Sequence, residues 1–80
     1  MKISAIKYLV ENRTIEDLMN AEEALLEEAQ LPFDIEGDDD GEKLTHIFAA
    51  LWILKKMKED SLDFKLALRE YTKKVRESIN

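Results

Sequence analysis

Eighty residues suffice for one domain, near the lower limit of chains that fold without a staple. The absence of cysteine excludes disulfides, thiolate metal sites and thiol catalysis, and the single His46 excludes a multi-histidine metal site within one chain. The formal charge is -6 and 38% of residues are charged, yet 45% are hydrophobic, a globular rather than a disordered balance.

The net charge conceals an asymmetry. Residues 1–42 carry 3 basic and 13 acidic groups, a balance of -10, whereas residues 43–80 carry 9 basic and 5 acidic groups, a balance of +4. Such halves are expected to complement each other, within one chain or between subunits. An acidic chain is repelled by phosphate at long range, so nucleic acid is not an expected partner. The longest apolar run is eight residues, Ile47 to Leu54. That is far short of the ~20 that span a bilayer. Lys2 and Lys7 flank an apolar patch too short for a signal-peptide core, with Glu11 close behind. The expectation is a cytoplasmic protein without membrane contact.

In the first segment Ile3, Ile6, Leu9 and Val10 recur at helical spacing, which predicts a short helix over about residues 2–11. Asn12-Arg13 interrupts the pattern. Thr14 is then a good N-cap, and Glu16 and Asp17 place carboxylates in the first turn, where the helix dipole favours them. Asp17 stands where a capping box has Glu, so the box is expected to be imperfect. The second helix is predicted over about residues 15–29, with Ile15, Leu18, Met19, Leu25, Leu26 and Ala29 as its buried stripe. Pro32 is expected to end it, because the residue before proline avoids the helical region.

Residues 30–41 form the one long connection. Asp34 to Glu42 holds six carboxylates in nine residues, and both glycines, Gly37 and Gly41, lie here. Phe33 and Ile35 alternate with acids and are expected to tuck onto the core. The third helix is predicted over about residues 42–59, with Leu44, Ile47, Phe48, Leu51 and Leu54 as its stripe. Trp52 widens that stripe on one flank, and Ala50, Ile53 and Met57 widen it on the other. The apolar arc covers roughly 200°, against the ~100° of a surface helix. Lys55, Lys56 and Lys58 close its end. The fourth helix is predicted over about residues 63–78, with Phe64, Ala67, Leu68, Tyr71, Val75 and Ile79 on its buried face. Lys65, Arg69, Lys73 and Arg76 form a basic stripe on another face. No strand pattern and no internal repeat occurs.

Four stretches imitate functional motifs. Glu36, Asp38, Asp40 and Gly41 fit positions 1, 3, 5 and 6 of a calcium loop, but Ile47 stands where the bidentate Glu belongs. A solvated acidic loop supporting the third helix explains them without a metal. Asp60-Ser61-Leu62-Asp63 resembles the attachment motif of acyl carrier proteins. Only one helix follows Ser61, however, and Phe64-Lys65-Leu66 departs from the carrier pattern, so a helix cap is the simpler meaning. His46 follows Glu42 by one turn, a possible carboxylate–imidazole pair that makes neither a triad nor a metal site. The first two helices, joined near Asn12-Arg13, resemble a helix-turn-helix. Its second helix carries six acids and no base, which phosphate would repel.

Taken whole, the chain resembles a family of small uncharacterised bacterial helical proteins, mostly from Bacteroidota. The likeness lies in Lys2-Ile3 with Ile6-Lys7, in the acidic segment leading to Gly41-Glu42 and the apolar run, and in Ala67-Leu68 with Lys74-Val75-Arg76 and Ser78-Ile79. The resemblance implies no activity and no site residues. It also implies a place beside thioredoxin-like and peroxiredoxin-like proteins, whose redox chemistry a cysteine-free chain would not itself perform.

The resulting expectation is an all-α fold, a small bundle of four helices, the first one short, around a central hydrophobic third helix. The expected function is a non-catalytic interaction or accessory module, a homodimer or the partner of another protein, with no metal, cofactor or nucleic acid. Trp52, Ile53 and Met57 are the candidate contact residues, since two or three short neighbours need not cover so wide an apolar arc. The alternative is a small carrier holding an apolar molecule beside Phe48, Trp52 and Tyr71.

Overall fold

Three of the four helices in this chain begin at a side chain, Thr14, Asp39 or Asp63, that supplies a missing backbone partner. In a computed structural model, which describes residues 1–78, the helices are α1 (Ile3–Asn12), α2 (Ile15–Leu26), α3 (Asp40–Asp60) and α4 (Phe64–Ser78). The fold is all-α, and no strand occurs among the described residues. Ile79, expected on the buried face of α4, lies outside them.

The capping box at Thr14 is complete. The Asp17 N–H donates to Thr14 Oγ1 at 3.0 Å and the Thr14 N–H donates to Asp17 Oδ2 at 3.1 Å, so the shorter acid closes the box after all. α2 ends six residues before Pro32. Glu28 takes a left-handed φ of 56°, the Ala29 N–H reaches the Ala24 carbonyl at 2.8 Å and the Glu28 N–H reaches Leu25. This pair of bonds is a Schellman closure, and it stops the helix without the proline. α3 starts at Asp40, with Gly41 inside its first turn. The Glu42 N–H donates to Asp39 Oδ1 at 2.8 Å, and the Asp38 N–H donates to Glu42 Oε1 at 2.9 Å. Asp39 of the loop therefore caps the helix, and Glu42 in its first turn reaches back to the loop backbone.

Between α3 and α4, Ser61 takes the left-handed conformation and Asp63 accepts from the Leu66 N–H at 2.9 Å. The tetrapeptide that imitates a carrier motif is thus one helix stop followed by one helix start.

α1, α2 and α4 each pack against α3. At 1.5 Å per residue, its 21 residues are about 31 Å long, and the molecule measures 32 × 28 × 19 Å. The short dimension is that of two helix layers. The core is built from Ile6, Leu9, Leu18, Ile35, Ile47 and Ile53, with five small residues among them: Ala5, Ala21, Ala49, Ala50 and Ala67 are all buried. Small residues at a crossing let axes approach closely, which is how three short helices reach one central rod.

The face of α3 that is buried differs from the expected one. His46, Ile47, Ala49, Ala50, Leu51 and Ile53 are buried, Leu44 and Leu54 only half so, and Phe48 is exposed. The inward stripe is centred on Ala50 rather than on Leu51. The cause lies outside the helix. His46 is buried, its Nε2 accepts the Lys2 backbone N–H at 3.0 Å, and its Nδ1 donates to the Glu36 carbonyl at 2.7 Å. Those two bonds, with the alanine pair, turn α3 toward α1 and the loop.

The loop lies against this frame. Ile35 is buried, Phe33 is half-buried, and the Arg13 guanidinium stacks 4.0 Å over the Phe33 ring. At Gly37 an added Cβ would sit 3.0 Å from the Lys43 backbone nitrogen, so the loop passes too close to α3 for a side chain.

Candidate functional site

The rotation of α3 leaves an aromatic face outward. Phe48 is 46% exposed, and Trp52, one turn on, is half-buried. Below Trp52 lies Tyr71 of α4, with ring centroids 5.6 Å apart and planes inclined by 53°, a tilted contact of the kind aromatic pairs favour. Burial pushes the Tyr71 phenol above its ordinary pKa. On the other side, Lys56 Nζ lies 5.8 Å from the Trp52 ring centroid and 2.7 Å from Asp60 Oδ2. That carboxylate, by hydrogen bond and charge, raises the lysine pKa.

Two shallow depressions open beside Trp52. One, of about 290 Å³, runs between α3 and α4 and is lined by Trp52, Lys56, Glu70, Lys73, Lys74 and Glu77. The other, of about 200 Å³, is bounded by Trp52, Lys55, Lys56 and Glu59. Their walls are charged and their floor is one indole. Phe48 lines neither, so the trio Phe48, Trp52 and Tyr71 does not form a common cavity in these depressions. A third recess, of about 250 Å³, lies between α1 and the loop, beside Tyr8, Asp34 and Glu36. Glu36 there pairs with Lys2 at 3.4 Å.

Of the three contact residues expected from sequence, Trp52 and Met57 are half-exposed. Ile53 is fully buried and is corrected to a core residue, because α3 presents the Ala50 side inward. The residues that sequence reasoning missed are Phe48, Met19, Leu26 and Leu66, all expected or passed over as ordinary helix positions and all substantially exposed. A signal for the rotation did exist. His46, Ala49, Ala50, Ile53 and Met57 recur at i, i+3, i+4, i+7 and i+11, a second helical stripe that its small and polar members disguise.

The loop acids do not converge. Among the described residues no group of three or more His, Asp or Glu side chains is placed to hold a metal ion. Glu42 meets the Asp38 backbone and lies 3.9 Å from the N-terminal ammonium, not on His46, whose two ring nitrogens are both engaged by backbone. Likewise, no helix of the described residues is long and apolar enough to cross a membrane.

The whole length, residues 1–80, matches the model of DUF6952, a family of unknown function. The chain belongs to that family. No curated protein and no solved structure matches it. For this DUF6952 member the physical chemistry of its own surface is therefore the basis for a functional reading.

Proposed function

We propose that this chain is a non-catalytic interaction or accessory module, bacterial and cytoplasmic, that associates with itself or with another protein through the outer face of the α3–α4 hairpin. The observation that carries the reading is Phe48. A phenylalanine 46% exposed on the helix that otherwise forms the core is an apolar group without a cover. The area of the chain supports it. The molecule exposes 5506 Å², against about 5000 Å² expected of a folded monomer of 9.3 kDa. Further large apolar side chains, Met19, Leu26 and Leu66, are exposed on α2 and α4. The carrier reading finds no comparable support, because the recesses near Trp52 are walled by lysine and glutamate.

Multi-angle light scattering from micromolar to sub-millimolar concentration tests the self-association. The weight-average mass is expected to rise above 9.3 kDa with concentration. A constant monomer mass throughout would remove it.

A further inference from the structure

We infer that the partner is a second copy of this chain, and that the acidic outer side of its α2 docks on the basic outer side of α4. This inference rests on the self-association proposed above and names its two surfaces.

The first surface is a row of acids. Glu16, Glu23 and Glu27 fall on one exposed side of α2 and its C-cap, next to the exposed Met19 and Leu26, which stand one heptad apart. No basic residue occurs from Ile15 to Gln30. The second surface is a row of cations. Lys65, Arg69, Lys73 and Arg76 are all exposed on one side of α4, beside the exposed Leu66. Each row spans twelve residues, about 16 Å from first to last along its helix, so the two match in length. Lys73 also lines the groove at Trp52, which joins the basic row to the aromatic face.

Neither row is neutralised at home. Among the described residues the ion pairs are Met1–Glu42, Lys2–Glu36 and Lys56–Asp60, each inside its own half of the chain. Like charges at i, i+4, such as Lys65, Arg69 and Lys73, destabilise a helix left to itself. An acidic helix laid across them reverses that term, and the leucines and methionine beside each row bury apolar area in the same step. Glu70 and Glu77 share the groove with Lys73, at the edge of the row nearest Trp52, and leave Lys65, Arg69 and Arg76 to meet the incoming acids. A polyanion such as nucleic acid would meet the same row but also a net charge of -6. A second copy instead brings an acidic surface on a short helix of matching length.

Charge reversal tests the pairing. One variant carries Glu23→Lys and Glu27→Lys, both exposed and near a helix C-terminus where cations are tolerated. The other carries Arg69→Glu and Lys73→Glu. Circular dichroism checks that both remain helical. Each alone is expected to weaken self-association at least about tenfold, and an equimolar mixture is expected to restore it. Trp52 fluorescence, from the only tryptophan, reports the mixing. Raising the salt concentration is expected to weaken the wild-type complex. A wild type that associates equally well after either reversal overturns this inference and leaves the self-association standing. A mixture of two folded variants that stays apart overturns it as well. A wild type that is monomeric throughout, or that binds a labelled oligonucleotide through the α4 row as a monomer, overturns both readings.

Discussion

His46 joins three parts of the chain through two backbone groups. The Lys2 N–H requires an acceptor at Nε2 and the Glu36 carbonyl requires a donor at Nδ1, so the ring is held as the neutral Nδ1–H tautomer. Replacing it with alanine takes the partner from a part-buried donor and a part-buried acceptor, and leaves a void where the ring was buried. His46→Ala is expected to cost about 2–4 kcal/mol, read from the shift of a urea midpoint at unchanged slope. Tyr71 gives a second expectation. Its pKa is raised by burial, so the neutral phenol is the form the fold favours. That stability is fully present below the unfolded pKa of about 10 and is lost as pH rises through the higher folded value. Lys56, also raised, contributes in the same direction. Alkaline titration of the unfolding free energy is therefore expected to fall above pH ~10, less steeply in Tyr71→Phe than in the wild type.

At the scale of elements, the two left-handed residues mark where the helices stop. Glu28 and Ser61 adopt φ of 56° and 54° with a side chain in place, a conformation that glycine takes without strain. Glu28→Gly and Ser61→Gly are each expected to stabilise the fold by about 0.5–1 kcal/mol in thermal unfolding. The orientation of α3 has its own test. Ile53 is buried and Phe48 exposed, the reverse of their apparent rank in the sequence. Ile53→Ala should cost about 2–5 kcal/mol, whereas Phe48→Ala should cost under about 1 kcal/mol despite removing the larger side chain. A Phe48→Ala cost above that of Ile53→Ala would place α3 in the orientation first expected from its Leu44–Leu54 stripe.

For the whole molecule, the packing of three helices on one leaves large apolar side chains exposed on every helix: Ile3 and Tyr8 on α1, Met19 and Leu26 on α2, Phe48 on α3 and Leu66 on α4. Phe48→Asp is expected to keep the helical far-UV spectrum, to match the wild-type melting temperature under dilution to the monomer, and to lower the average mass seen by sedimentation, which separates a contact residue from a core residue. Four helices, the acidic connection and the central position of the third were legible from spacing and charge. So was the buried face of α4, where Ala67 is buried and Phe64, Leu68, Tyr71 and Val75 are half-buried. The contact surface was legible only in part. Trp52 was singled out, Phe48 was assigned to the core and Ile53 was assigned to the flank. An arc of roughly 200° gives a helical wheel no single inward direction.

What the sequence determined by itself is local. The caps at Thr14, Asp39 and Asp63, the length of the helices and the division of charge between the halves depend on neighbours within a turn or two. The rotation of α3 is of another kind. It depends on Lys2, 44 residues away from His46, on Glu36, 10 residues away, and on alanines whose value lies in what they allow to approach. A helix apolar over roughly 200° of its surface can turn about its axis at little cost in burial. Bonds made by other segments therefore decided which aromatic residue faced the solvent, and Phe48, the second residue of the apolar run, became the outside of the protein.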